Sequence, residues 1–211
     1  MKITKINLVG FILFLGISIK AQEFKYGAEI GVDISKPQFS NYSEDKGCFC
    51  GPWRNSDFYA MPSANINGFI ELKVNDIWAV TAEPGFISKS GYLKPTTLKT
   101  SDKMYVYNNY IQLPFLFNFY IKKKLFFSAG TEIAFFTFKT QHVTNKYQEP
   151  SPYEIKKIEL SGLIGIGYAI TDNIDLGLKY SRGLTNINKS SASQYGSLYN
   201  QYAQLFVRYK K

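Results

Sequence analysis

The sequence predicts an all-β fold: an eight-stranded antiparallel up-and-down transmembrane β-barrel of meander topology, with short periplasmic turns and long external loops. Three observations carry this reading. Apolar residues alternate with polar or small ones over eight stretches of about ten residues, the pattern of strands with one face to lipid and one to a lumen. The connections between those stretches alternate short and long. The 211-residue chain holds 17 Phe and 16 Tyr but only 2 Trp, an aromatic content suited to a surface that meets lipid interfaces.

The first stretch sets Phe24, Tyr26, Ala28, Ile30, Val32 and Ile34 against Lys25, Gly27, Glu29, Gly31 and Asp33. The second, Ala64 to Val74, sets Ile66, Ile70 and Leu72 against Asn65, Asn67, Glu71 and Lys73. The third begins at Ile77 and sets Trp78, Val80, Ala82 and Phe86 against Thr81, Glu83 and Gly85, weakened by Pro84, which has no N–H for the ladder. The fourth alternates Ile111, Leu113, Phe115, Phe117 and Phe119 with Gln112, Pro114, Leu116 and Asn118. The fifth alternates Phe127, Ala129, Thr131, Ile133 and Phe135 with Ser128, Gly130, Glu132 and Ala134. The sixth runs from Ile158 to Ile170 with Glu159, Ser161, Gly165 and Gly167 on its polar face. The seventh sets Ile174, Leu176, Leu178 and Tyr180 against Asp175, Gly177, Lys179 and Ser181, and the last sets Ala203, Leu205, Val207 and Tyr209 against Tyr202, Gln204, Phe206 and Arg208.

Short turns fall at Asn75-Asp76, Lys122-Lys123-Lys124 and Thr171-Asp172-Asn173; long connections run from Ser35 to Pro62, Ser90 to Tyr107, Lys139 to Lys157 and Thr185 to Asn200. Eight is an even number, as an antiparallel bacterial barrel requires, and both termini then lie on the periplasmic side.

A soluble barrel would show the same period with the opposite polarity. Composition decides between them. The polar face is rich in Gly, Ser, Asn and charges of both signs, which fit and pair in a narrow lumen, whereas a water-facing strand gains nothing from so much glycine. The apolar face is bulky and aromatic. In lipid every unpaired backbone group costs several kcal/mol, so a strand protein must close its sheet. Eight strands leave an interior just wide enough for side chains. The expected lumen is therefore filled, by a structural charge network of Lys25, Lys73, Lys179 and Arg208 with Glu29, Asp33, Glu71, Glu83, Glu132, Glu159 and Asp175.

The N-terminus reads as a signal peptide over residues 1–21. Lys2 and Lys5 form its positive region, an apolar run extends from Leu8 to Ile17, and Ala21 precedes the expected cleavage before Gln22. Residues 22–211 form the barrel domain. Loss of Lys2, Lys5 and Lys20 lowers the net charge from +9 to +6. The remaining basic residues are scattered, which together with export argues against a nucleic-acid partner.

Cys48 and Cys50 are one residue apart in the first long connection; an exported protein permits a loop disulfide there. The sole histidine, His142, falls in an expected loop. No nucleophile motif, HExxH or phosphate-binding loop is present. The chain is read as non-enzymatic, with no metal site and no cofactor.

Tyr110-Ile111-Gln112-Leu113-Pro114-Phe115-Leu116-Phe117 resembles a signature of PorT-like outer-membrane β-barrel proteins of the Bacteroidota. Leu178-Lys179-Tyr180-Ser181-Arg182-Gly183-Leu184-Thr185-Asn186-Ile187 is similar to the end of the seventh strand in that family, and Lys20-Ala21-Gln22 to its signal ending. The chain departs from the broader outer-membrane pattern by closing on Lys210-Lys211. The resemblance implies an outer-membrane barrel, with some relatives serving type IX secretion and gliding. The expected partners are the lipid bilayer, lipopolysaccharide and envelope or secretion-complex proteins. A small porin-like transport protein and a secreted soluble ligand-binding barrel are the alternatives.

Overall fold

The computed structural model describes residues 23–40, 58–94, 103–121, 124–144, 154–189 and 197–211. Its strands in chain order are β1 (Glu23–Ser35), β2 (Gln38–Ser40), β3 (Phe58–Lys73), β4 (Trp78–Ala82), β5 (Gly85–Leu93), β6 (Met104–Ile121), β7 (Leu125–Val143), β8 (Ile158–Ala169), β9 (Ile174–Gly183), β10 (Ser197–Tyr199) and β11 (Gln201–Lys210). All the pairings are antiparallel. β4 and β5 together make one interrupted strand between β3 and β6, and β11 pairs with β1, so eight strands close into a ring.

The interruption falls at Glu83-Pro84. Pro84 offers no N–H, yet its carbonyl accepts from Gly68 N at 2.8 Å, and Glu83 N donates to the Pro114 carbonyl at 3.0 Å. The ladder therefore survives on both sides, and alternation continues in phase from Thr81 through Glu83 to Ile87 and Lys89. The third stretch read from the sequence is thus the first half of a longer element.

The faces are as the composition requires. Ile30 is 60% exposed, Phe117 61% and Ile164 62%, whereas Glu29 and Glu159 are fully buried. Greasy side chains cover the exterior and ionised ones line the interior. On β6 the exposed apolar residues run from Ile111 to Ile121. At ~3.4 Å per residue and the usual tilt, that is a band about 25 Å tall, the height expected of a lipid-facing surface.

Two periplasmic turns use side-chain oxygens in place of backbone acceptors. Asn75 Oδ1 accepts from Ile77 N and Trp78 N, both at 2.8 Å. Thr171 Oγ1 accepts from Ile174 N at 3.0 Å, and Asn173 Nδ2 donates to the Lys210 carbonyl at 2.9 Å.

At the other end the strands outrun the sequence expectation. β3 begins at Phe58, β5 continues to Leu93, β6 begins at Met104 and β7 ends at Val143. Segments read as loops are therefore partly sheet, and His142 lies on β7. β6 has 18 residues and β7 has 19, against the ~9–11 needed to cross a bilayer. A small second sheet pairs β2 with β10, and Ile155 bridges to Asn188. Cys48, Cys50 and residues 1–22 lie outside the described residues.

Candidate functional site

Among the described residues, the ionisable side chains converge in the lumen, and β-pleat alternation puts them there: every second residue of a strand points inward. At its centre Glu29 and Glu83 share two cations. Lys179 Nζ reaches Glu29 Oε1 at 2.6 Å and also bonds Glu83. Arg208 donates from Nη2 to Glu29 Oε2 at 2.8 Å and also to Glu83. All four side chains are buried. The cations also lie against rings: Arg208 4.6 Å from the Phe69 centroid and Lys179 4.5 Å from that of Phe206.

Around this centre Asp33 and Glu71 meet neutral donors, and Asp175 a further lysine. Asn65 Nδ2 donates to both oxygens of Asp33, at 2.8 and 2.9 Å. Tyr120 Oη donates to Glu71 Oε2 at 2.7 Å, and Asn118 Nδ2 donates to the same oxygen at 3.1 Å. Asp175 Oδ1 pairs with Lys210 Nζ at 2.7 Å.

Toward the external end Lys89 Nζ lies 2.6 Å from Glu132 Oε1 and 3.1 Å from Glu159 Oε1. Tyr202 Oη donates to Glu132 Oε2 at 2.6 Å, and Asn200 Nδ2 donates to Glu159 Oε2 at 2.8 Å. Lys89 also sits 5.0 Å from the Tyr110 ring centroid. Ser35 Oγ donates to the Ser90 carbonyl at 2.7 Å and receives from Ser90 N at 2.7 Å, tying β1 to β5 across the interior.

Nine of the eleven residues assigned to a lumenal charge network lie buried there, in three groups: Glu29, Glu83, Lys179 and Arg208; Glu132 and Glu159; and Asp175, Asp33 and Glu71 on separate partners. Lys25 and Lys73 do not join them. Both lie half-buried at the periplasmic end, where they bond Glu23 at 3.0 and 2.6 Å. Proximity to the rim lets their ammonium groups stay in water while a carboxylate on the same strand end pairs them. Lys89 and Lys210 were missed. Lys89 keeps the parity of Glu83 along an unbroken alternation, which was the available signal.

Above the charges the lumen is closed by an apolar cluster that includes Phe58, Leu93, Met104, Val106, Ile155, Ile187 and Leu198, with Ile87 of the same cluster just beneath Lys89. A smaller cluster of Ala79, Tyr120, Phe126 and Phe206 fills the periplasmic half. There Gly167 and Gly177 stand opposite each other on β8 and β9. Phe126 covers the first and Phe206 the second, and a Cβ at either glycine would collide with the ring. Among the described residues no group of His, Cys, Asp and Glu is arranged to hold a metal ion, and no helix is long and apolar enough to cross a membrane.

A closed sheet with an apolar exterior band and a filled polar interior defines a small transmembrane β-barrel. A family model described as an outer membrane protein beta-barrel domain matches residues 20–189. The chain belongs to that family and sits in the lipid bilayer of the outer membrane. No curated protein matches the sequence. Among solved structures, Neisserial surface protein A (NspA) is 13% identical, with 89% of this chain and 99% of that chain covered, at a TM-score of 0.50. Ail, the attachment invasion locus protein of Yersinia pestis, is 13% identical over 90% of this chain and 100% of that chain, at a TM-score of 0.44. The outer membrane protein OprG from Pseudomonas aeruginosa is 12% identical over 89% of this chain and 95% of that chain, at a TM-score of 0.47. The likeness to NspA is one of fold.

Proposed function

We propose that this protein is a non-enzymatic structural or interaction protein of the outer membrane, acting through its external hairpins rather than through its lumen. The observation that carries the reading is the sealed interior: buried ion pairs at the centre, with an apolar cluster beneath the external mouth. A conducting pore needs a continuous wet path, and larger barrels supply one where an eight-stranded barrel does not. The extended β6 and β7 give the external side an ordered surface on which partners can dock.

The finer assignments follow from the sequence. Tyr110, Gln112 and Pro114 of the first PorT-like signature all face the lumen: Tyr110 Oη accepts from Asn200 Nδ2 at 3.2 Å, and Gln112 Nε2 donates to Asn67 Oδ1 at 2.9 Å. A lumenal role for the signature supports placing the chain in the PorT-like branch, with secretion-complex or other envelope proteins and lipopolysaccharide as its partners. Residues 1–21 act as the export signal.

Planar-bilayer recording of the purified full chain tests the reading. The expected result is no steady conductance above the bare bilayer. A reproducible ohmic current would overturn it and restore the small-porin alternative.

A further inference from the structure

On the outward face of the external extension, four rings stand abreast across four strands. Tyr59 of β3 pairs in register with Tyr92 of β5, Tyr92 with Tyr105 of β6, and Tyr105 with His142 of β7. The centroids are 5.0, 5.9 and 6.4 Å apart in that order. The first pair is stacked at 16°, so the ring faces are spent on one another and on cations.

Those cations are Lys94 and Lys103, at the membrane-distal ends of β5 and β6. Lys94 Nζ lies 4.5 Å from the Tyr59 centroid and 5.9 Å from that of Tyr92; Lys103 Nζ lies 5.3 Å from that of Tyr92. Among the described residues, no carboxylate lies within ion-pair distance of Lys103. The rings hold two ammonium groups by cation–π attraction, which leaves the charge of Lys103 in place.

Height selects the occupant. Tyr105 lies four residues beyond Asn109, which pairs in register with Phe138, the outermost exposed apolar side chain of the neighbouring β7. That is about 14 Å along the strand and about 10 Å along the barrel axis at the usual tilt. A phospholipid headgroup layer extends only some 5–8 Å past the hydrocarbon, so it stops short of the ladder. A glycolipid with a sugar chain reaches it, and the ladder continues the lipid-facing wall already established below.

We propose that Tyr59, Tyr92, Tyr105, Lys94 and Lys103 form a platform for the phosphorylated core sugars of an outer-leaflet glycolipid, with the ammonium groups taking phosphate and the tyrosyl hydroxyls taking phosphate or sugar oxygens. The proposal rests on the reading that lipopolysaccharide is among the partners of this chain and names where and how it is held.

The test uses the full chain in phospholipid nanodiscs and three probes: rough lipopolysaccharide with a phosphorylated core, the same material after dephosphorylation, and lipid A alone. Native mass spectrometry or calorimetry should show the phosphorylated core form bound at least about tenfold more tightly than either of the others. Lys94→Gln with Lys103→Gln should erase that difference, while Tyr59→Phe with Tyr92→Phe should reduce it with the ring stack intact. Equal binding of lipid A, equal binding after dephosphorylation, or an unchanged preference in the lysine variant overturns the proposal. So does free core oligosaccharide that binds as tightly as the intact glycolipid, since the site would then serve a soluble glycan. A gel assay of heat-induced unfolding establishes that each variant is folded, and the three-probe comparison on the unmodified protein stands without any variant. A bilayer current bears on the sealed-lumen reading alone, so the two failures are distinguishable.

Discussion

Lys89 and Glu132 meet inside the barrel with Nζ 2.6 Å from Oε1, and neither side chain touches solvent. Glu159 shares the same ammonium at 3.1 Å. One cation thus serves two carboxylates, with Tyr202 and Asn200 satisfying the outer oxygens.

Removing that cation leaves two buried acids without a counter-charge, a change that typically costs about 3–5 kcal/mol. Lys89→Met should therefore lower the unfolding free energy in urea by about that amount, measured on protein folded into lipid vesicles. Adding Glu132→Gln to Lys89→Met removes one of the stranded charges and should recover part of the loss. A double variant no better than the single one would show that the ammonium, and not the charge balance, supports this layer.

Gly167 and Gly177 form the second close fit, each beneath a phenylalanine ring. Phe126 and Phe206 pack in one cluster within the same narrow periplasmic half. At Gly167 every close atom belongs to the Phe126 ring, whereas at Gly177 the Ile166 carbonyl is as near as Phe206. Gly167→Val should abolish the folded band in a heat-modifiability gel. Phe126→Ala in the same chain vacates the ring position and should restore a measurable folded fraction. Absence of any rescue, with Phe126→Ala alone folding normally, would place the glycine requirement elsewhere than the ring.

The eight-strand plan and its polarity were legible because lipid and lumen impose opposite demands on alternate residues. Ile30 beside Glu29, and Phe117 beside Asn118, report those demands within two positions. The external extensions were not legible for a related reason. Once β5 and β6 leave the bilayer, water lies outside and an apolar cluster inside, so Ile87, Leu93, Met104 and Val106 turn inward. The period of two persists while its polarity reverses, and the reversal reads as the end of a strand. Lys89 lies at that crossover, a charge on the inward side just where the inward side becomes apolar. Lys25 and Lys73 show the converse: correct parity does not decide depth, and at the rim water and Glu23 satisfy them. The ring ladder was hidden because cross-strand register, not sequence spacing, brings Tyr59, Tyr92, Tyr105 and His142 together.

Outside the bilayer the electrostatics are different in kind. Glu154 and Lys189 pair at 2.9 Å on the external side, both largely exposed. The hydrogen bond that Lys189 donates holds the Glu154 carboxyl below its ordinary range, and the same bond raises Lys189. A lowered carboxyl favours the folded state above its ordinary range, and that contribution fades as pH falls through the lowered value. Exposure and salt make it small. Glu154→Gln should therefore leave the urea midpoint unchanged within error at pH 7 and at pH 3, in contrast to Lys89→Met. A clear shift at pH 7 that vanishes at pH 3 would mean that the pair clamps the Ile155–Asn188 bridge more firmly than its exposure suggests.

The exterior band sets the last expectation, and depth is its variable. Ile164 lies on β8 well inside the apolar band, and Ile158 begins the same strand at the external edge; both are more than half exposed. An arginine at mid-bilayer on a barrel wall costs about 2–4 kcal/mol, falling to about 0–1 near the interface, where the side chain reaches water. Ile164→Arg should therefore destabilise the folded protein in vesicles by the larger amount and Ile158→Arg by the smaller. The same substitutions in a soluble barrel would face water and cost little at either depth. Equal and small effects at both positions would mean that the β8 exterior does not contact hydrocarbon, and the inverted polarity of the wall would need another cause.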